Sequence, residues 1–435
     1  MKRLLRSTFA ITLIIIGLLL GLYPALHTGW ALATDPGLRT GGPTKMAFRM
    51  HHSLSNRLPD YIDERIASNI ATTLEVSQIE ATEWPLYGAF FYLRATEKLQ
   101  RQWEPDHALA ATSPKEAGRN TIEASARLLL DENHAHWVKT YWGPDYLKSP
   151  NCFYRMLVLG GLSAHHELTG SEENFPFMRT LMADMITDLD TSPHGLIDDY
   201  PHQCFPADVI AAIAMIKASA ASLGEDRSEW ARHALARLMQ VSGNKLPPYT
   251  ASSETGQAST STRGCTNGFA LPYIHEIDPA LAAKLYQEST GRFWEEGHLA
   301  RGWREFASDH GRDAFYFDPD SGPVLFHFGR AATGLGLGVA RTYGDHKRAG
   351  ALGIQFLATS FPLPTGRLII PSLIGNRKHA PHFPEIVLMS QLAQASKNPS
   401  AKGPTPLIFW IITSTQFLIG SLLVRSGYRR LRKVI

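Results

Sequence analysis

The chain has 435 residues, of which 44% are hydrophobic and 19% charged, a globular composition that excludes an intrinsically disordered protein. Its 43 basic and 40 acidic residues leave a net charge of +3, and the basic excess is not concentrated in the body, so nothing argues for nucleic-acid binding. The length allows two or three domains, or one repetitive helical domain.

The elements begin with an apolar segment, Thr8 to Leu26, behind Lys2, Arg3 and Arg6, and no charged residue follows before Asp35. A second segment, Leu407 to Val424, precedes Arg425, Arg429, Arg430, Arg432 and Lys433. Each is long enough to cross a bilayer as a helix. Because positive charge stays cytoplasmic, both ends are expected in the cytoplasm and the body outside it, on the periplasmic face of an inner membrane. The expected division is an anchor at 1–34, a linker at 35–57, a helical domain at 58–399, a linker at 400–406, a membrane helix at 407–424 and a basic tail at 425–435. A cleaved signal peptide ending near Ala31-Leu32-Ala33 is the alternative for the first segment, but the stretch from Pro24 to Ala33 is long for one and favours an uncleaved anchor. Outside the cytoplasm Cys152, Cys204 and Cys265 meet an oxidising space, which allows one disulfide in three pairings, or none.

Between the anchors, apolar periodicity predicts helices at 58–80, 84–101, 113–131, 151–168, 171–190, 206–223, 226–242, 266–275, 278–295, 329–343, 344–359 and 384–396, with few strands. Tight turns at Leu168-Thr169-Gly170-Ser171, Leu223-Gly224-Glu225-Asp226 and Tyr343-Gly344-Asp345 alternate with long loops. Twelve helices joined in this way fit six hairpins in two concentric rings, an all-α (α/α)6 barrel, or six-hairpin toroid. Helices starting near 84, 151, 206, 266, 329 and 384 carry small-residue runs, Gly160-Gly161 and Gly334 to Gly338, that suit an inner ring. Their N-termini and the loops before them then gather at one mouth.

That mouth collects a definite chemistry. The first segment offers Glu83, Trp84 and Tyr87. The second offers His134, His136, Trp142, Asp145, Tyr146, Asn151, Cys152, Tyr154 and Arg155. The third, Asp198 to Asp208, packs Asp198, Asp199, Tyr200, His202, Cys204 and Asp208 into eleven residues just before a helix whose first-turn amides favour anions. Its plain alternative is a capped helix start, with Pro206 and Asp208 in the first turn. Later segments offer Tyr249, Glu254, Arg263, Cys265 and Asn267, then Arg304, Glu305, Asp313, Tyr316, Asp318, Asp320 and His327, then His379, His382 and Glu385. Trp84, Tyr87 and Tyr154, taken singly, read as core. No metal is predicted: His134-Ala135-His136 and His379 with His382 lack a ligand set, and His165-His166-Glu167 has no partner one turn on. Gly334 to Gly338 is helix packing, not a dinucleotide fingerprint.

Two of these segments, Asn151-Cys152-Phe153-Tyr154-Arg155 with Leu162 and Leu168-Thr169-Gly170, and Asp198-Asp199-Tyr200 with Gln203-Cys204, resemble the linalool dehydratase/isomerase family over about 55 residues. Leu157 and Gly195 stand where that family carries a histidine and a second cysteine. The resemblance implies an (α/α)6 barrel and the cofactor-free dehydration and isomerisation of an allylic terpene alcohol.

The expected function is a membrane-tethered lyase or isomerase acting on an unsaturated, isoprenoid-type alcohol. Asp198 or Asp199 is the candidate acid, Cys204 an assisting proton carrier and Tyr200 a further catalytic residue. Trp84, Tyr87 and Tyr154 would stabilise an allylic cation, with Asn151, Arg155, Arg304 and Glu305 binding substrate. Two alternatives stand beside it. One is a glycan enzyme pairing Asp199 with Glu305 or Asp318; the other is a non-catalytic membrane scaffold.

Overall fold

The computed structural model describes residues 2–309, 315–318, 321–370, 378–396 and 401–433. It is 65% helical and 6% strand, as the periodicity predicts, and two of its helices are long and apolar enough to span a membrane. These run Arg3–Thr34 and Leu407–Arg432. The first continues through a π-helical turn, Gly17–Leu22, and the two pack side by side.

Six helices of the body form a closed circuit. Trp84–Trp103 packs on Cys152–Thr169, that on Pro206–Ser222, then Gly264–Ile277, Arg330–Thr342 and Phe383–Leu392, which returns to the first. Composition explains why these lie inside. Pro206–Ser222 buries Val209, Ile210, Ile213, Met215 and Ile216 completely and is apolar all round, so it needs neighbours on every side. Each such side chain contributes about 1.5–3 kcal/mol. Gly160 permits a close approach between two of the six helices, since a Cβ there would meet Met215 Sδ at 2.4 Å.

The helices outside the circuit are two-faced. Ser228–Gln240 buries Ala231, Ala234, Leu235, Leu238 and Met239 and exposes its other side. Arg119–Leu130, Phe175–Thr191, Pro279–Phe293 and His346–Thr359 lie in the same outer layer. Local signals set their ends. Asp278 caps Pro279–Phe293 by accepting from the Ala280 and Leu281 amides at 3.0 Å, and Gly170 stops Cys152–Thr169 with φ of 74°.

Two expectations are corrected. The 35–57 segment is no linker: Lys45–Ser55 is a helix, capped by Thr44, that buries Met46, Ala47, Phe48, Met50 and Leu54 against the circuit. The 58–80 helix ends at Ala67, where Ser68 and Asn69 turn the chain and Asn69 takes a left-handed φ of 51°. The few strands are short and antiparallel and lie in the long loops, pairing Trp294–Glu296 with Arg301–Trp303, Phe315–Asp318 with Gly322–Leu325, and Phe361–Pro362 with Leu368–Ile369.

The body sits on the terminal helices. His346–Thr359 packs against Leu407–Arg432 with Ile354 and Ala358 around the buried Phe409, next to Leu32 of the first helix. Arg341, fully buried, donates to the carbonyls of Gly37 at 3.2 Å and Gly42 at 2.5 Å and so ties down the chain leaving that helix.

Candidate active site

The two ends of the circuit differ. At the C-terminal end of Trp84–Trp103 charged groups fill the space: Arg94 pairs with Glu97 at 2.6 Å, and Lys98 reaches Glu276 at 3.2 Å and Gln394 at 2.9 Å. The opposite end holds a cavity of about 950 Å³, and all six helices line it from their N-terminal halves. Loops around Val76, Tyr200, Tyr249, Ser321 and Leu368 complete its wall.

Helical spacing decides which side chains reach it. Trp84, Tyr87 and Phe91 recur at steps of three and four on one face, as do Cys265 and Phe269. Their rings form one cluster centred on Tyr87, which stacks on Phe91 at 4.4 Å and meets Phe153 and Phe269 edge-on at 5.3 and 5.8 Å. Trp84 stacks on Phe383 at 4.7 Å. Four inner helices thus supply the apolar part of the wall.

The acidic part comes from Glu83, Asp199, Asp208 and Glu385, the last paired with Arg57 at 2.8 Å. Asp199 stands where the helices Cys152–Thr169 and Pro206–Ser222 both begin, and its Oδ2 accepts from the Phe205 amide at 2.8 Å. Burial raises its pKa well above the carboxylate range, the neighbouring Asp208 adds to this, and the Phe205 and Phe153 amides oppose it without winning. Burial thus favours the protonated form of Asp199, the form that can donate a proton. Glu83, at the start of Trp84–Trp103, accepts a hydrogen bond from the Tyr200 hydroxyl, which joins the first and third segments. Elsewhere on the wall, Cys265 donates to the buried Glu305 at 2.9 Å.

Of the residues gathered at the mouth from sequence, Glu83, Trp84, Tyr87, Asp199, Tyr200, Asp208, Tyr249, Cys265 and Glu385 line the cavity, and Glu305 reaches it through Cys265. The remaining predicted site residues are placed elsewhere, several for reasons of period. In the extended stretch before Pro206, alternate side chains face opposite ways, so Gln203 and Phe205 face the cavity while Cys204, fully buried, points behind it. Asp198 turns away likewise, its Oδ2 accepting from the His202 amide at 3.1 Å and holding the turn in which His202 has φ of 64°.

On Cys152–Thr169 only Phe153 faces inward. Tyr154 lies about 100° further round, buried against Trp137 and Tyr146, and Arg155 about 200° round, paired with Asp188 of the outer layer at 2.6 Å. Asn151 donates to the Tyr146 and Ser149 carbonyls, and Arg304 pairs with Glu295 at 2.6 Å. Asp313 and Asp320 lie outside the described residues. His134 is held by Asp131 at 2.6 Å, and His382 by Arg57 at 3.0 Å.

All three cysteines are free and buried. Burial first, then neighbouring carboxylates, pushes each thiol well above its usual pKa, so none is a thiolate at neutral pH, and Cys204 is a poor proton acceptor. Sequence reading gathered Asp208, Cys265 and Glu83 at the mouth without giving them a catalytic role, and missed Phe269, Arg330 and Arg367 on the wall altogether. The signal for Cys265 and Phe269 was their spacing of four at the start of an inner helix.

No protein-family model matches the chain, and no curated protein does.

Proposed function

We propose that the protein is a membrane-tethered, cofactor-independent dehydratase or isomerase of an unsaturated, isoprenoid-type alcohol. The observation that carries this reading is a buried acid, Asp199, whose burial favours its protonated form, on the wall of a cavity that also presents the rings of Trp84, Tyr87, Phe91, Phe153, Phe269 and Phe383. Further support comes from the two helical layers, which fit an (α/α)6 barrel, and from the resemblance of the 151–170 and 198–204 segments to linalool dehydratase/isomerase. Leu157 and Gly195 mean that any such chemistry here runs without that family's histidine and second cysteine.

The reaction follows from the groups. Asp199 gives its proton to the substrate hydroxyl, and the C–O bond breaks with its electron pair leaving in water. The allylic cation left behind lies against the ring faces of Tyr87, Phe91 and Trp84, which suit a positive charge. Asp208 or Glu83 then removes a proton from the adjacent carbon, whose C–H pair becomes the new double bond. Isomerisation differs only in the return of water to the far end of the cation.

The setting suits a lipid-soluble substrate. One helix, His346–Thr359, presents Phe356 to the cavity and Ile354 and Ala358 to the terminal helices, so a single layer separates the two. We read Arg3–Thr34 and Leu407–Arg432 as crossing an inner membrane, with the arginines at both ends cytoplasmic and the body outside.

The test is turnover by the full chain in lipid nanodiscs of tertiary and primary isoprenoid alcohols in heavy water. Deuterium in a diene or rearranged alcohol, lost in Asp199→Asn, supports the reading. Shortening of envelope glycans without terpenoid turnover would replace it with a glycan enzyme, and activity on neither would leave a scaffold.

A further inference from the structure

The strands Phe315–Asp318 and Gly322–Leu325 form a hairpin whose two faces are sorted the wrong way for water. Its inward face carries Val324, buried, and Tyr316, packed edge-on against Phe306 at 5.1 Å. Phe315 lies directly opposite Leu325 on the other face, with Phe317 beside them, and these are 60%, 40% and 49% exposed. An antiparallel hairpin with one solvated face ordinarily places polar residues there. The turn that follows adds Phe326, 68% exposed, its ring 5.2 Å from that of Phe315. Phe326 and His327 hold φ of 52° and 70°, a left-handed pair that usually belongs to Asn-Gly. A phenylalanine there is costly in backbone terms and gains nothing from water.

The position of this patch identifies what it meets. Phe328, next in the chain, packs beside Gly297, where an added Cβ would meet its ring at 3.4 Å. Gly297 begins the turn of the neighbouring hairpin, and at the tip of that turn the Leu299 carbonyl accepts from the Ile408 amide at 3.2 Å. Ile408 is in the first turn of Leu407–Arg432. Two residues on, Trp410 is exposed, as is Trp30 near the body end of the first helix. Exposed tryptophans at the ends of membrane helices mark the level of the lipid headgroups. The aromatic patch therefore continues, through Phe328, Gly297 and the exposed Leu299, a surface that starts at that level.

We propose that Phe315, Phe317, Leu325 and Phe326 form a second membrane contact, an aromatic hairpin dipping into the headgroup region of the bilayer that the terminal helices cross. The proposal rests on those helices spanning the membrane and not on the chemistry of the cavity. Its occupant is lipid, because the patch joins the membrane anchor and consists of the phenylalanine and leucine side chains that interfacial segments bury. Ser321 and Gly322, at the other end of the same hairpin, line the cavity, so the contact connects the bilayer surface to the cavity wall.

The experiment places an environment-sensitive fluorophore on an introduced cysteine in the full chain, one protein per lipid nanodisc. Cys152 and Cys204 are fully buried and Cys265 lines the cavity, so every labelled chain carries Cys265→Ser, and that chain without an introduced cysteine is the check that no native thiol is labelled. Labels go at Phe326→Cys and, separately, at Phe315→Cys. Leu418→Cys, in the second terminal helix, reports on the anchor, and Glu172→Cys, exposed beyond the far end of an inner helix, reports on water. The expected result is a blue shift at 326 and 315 relative to 172. Their emission is quenched most by spin-labelled lipids whose label lies about 5–10 Å into the headgroup and acyl boundary. Emission at 326 and 315 like that at 172, with 418 quenched, overturns the hairpin contact alone. Loss of quenching at 418 overturns the membrane-spanning reading and this proposal with it. A blue shift seen only when two proteins share a disc also overturns it, in favour of a second copy of the chain.

Discussion

The Cys265 thiol donates to Glu305 Oε1 at 2.9 Å, joining the first turn of an inner helix to the loop before the next. Glu305 is fully buried, and the Gly264 amide donates to its backbone carbonyl at 2.8 Å, so the loop is fixed by main chain and side chain together. Cys265→Ser keeps a donor and should preserve stability closely. Cys265→Val removes it and should cost about 1–3 kcal/mol, read from urea unfolding of the detergent-solubilised chain. Since Cys152 and Cys204 are fully buried away from the cavity, a maleimide at pH 7 should modify neither until the protein is unfolded, whereas Cys265, on the cavity wall, is the thiol within its reach, which intact-mass measurement will report.

Asp199 is a carboxyl that the fold prefers protonated. Its pKa is raised on folding, so the folded state binds more protons than the unfolded state between the ordinary value of 3.8 and the raised one. The stability from this preference is present below 3.8 and is lost as pH rises through that window, at about 1.4 kcal/mol per unit. Asp199→Asn removes the titration. The variant should melt above the parent at pH 7 and converge with it toward pH 4, while any alcohol turnover disappears. Parallel melting curves across that range would show that the carboxyl is not held neutral.

His51 makes the opposite prediction. Buried beside Tyr92, with Nε2 3.0 Å from Thr96 Oγ1, its pKa falls from 6.5 to about 3, first through burial. The folded state then binds fewer protons, so stability is full above 6.5 and falls as pH drops toward 3. His51→Gln should flatten the decline of the melting temperature between those limits, measured by circular dichroism.

Gly420 packs against the first terminal helix with no room for a side chain, since a Cβ would lie 2.7 Å from the Leu22 amide and 2.8 Å from the Gly17 carbonyl. Gly420→Leu should separate the two helices at a cost of about 1–2 kcal/mol. Lower thermal stability in nanodiscs, with unchanged stability of the body's helical signal, is the expected outcome.

How much of this was legible can be judged residue by residue. Apolar periodicity and the Gly170, Gly224 and Gly344 turns announced the helices, because each amphipathic stripe is a local record of burial. Lys45–Ser55 escaped, although Thr44 supplies a cap, because a linker after an anchor was the simpler reading. The site was legible as a region, for Asp199 and Tyr200 stand in the densest polar stretch of the chain. It was not legible as a constellation. Asp198 and Asp199 are identical in composition and adjacent in sequence, yet one accepts from the His202 amide in the turn and the other accepts from the Phe205 amide on the cavity wall.

The sequence by itself determined the helical class, the apolar terminal segments and the inventory of acids and rings, since these depend on local pattern. Tertiary structure alone decided which of those groups share a cavity. Glu83 and Tyr200 are 117 positions apart and bond only when the circuit of six helices closes. Likewise, the elevated pKa of Asp199 arises from burial and from Asp208, conditions that assembly creates and no stretch of sequence contains.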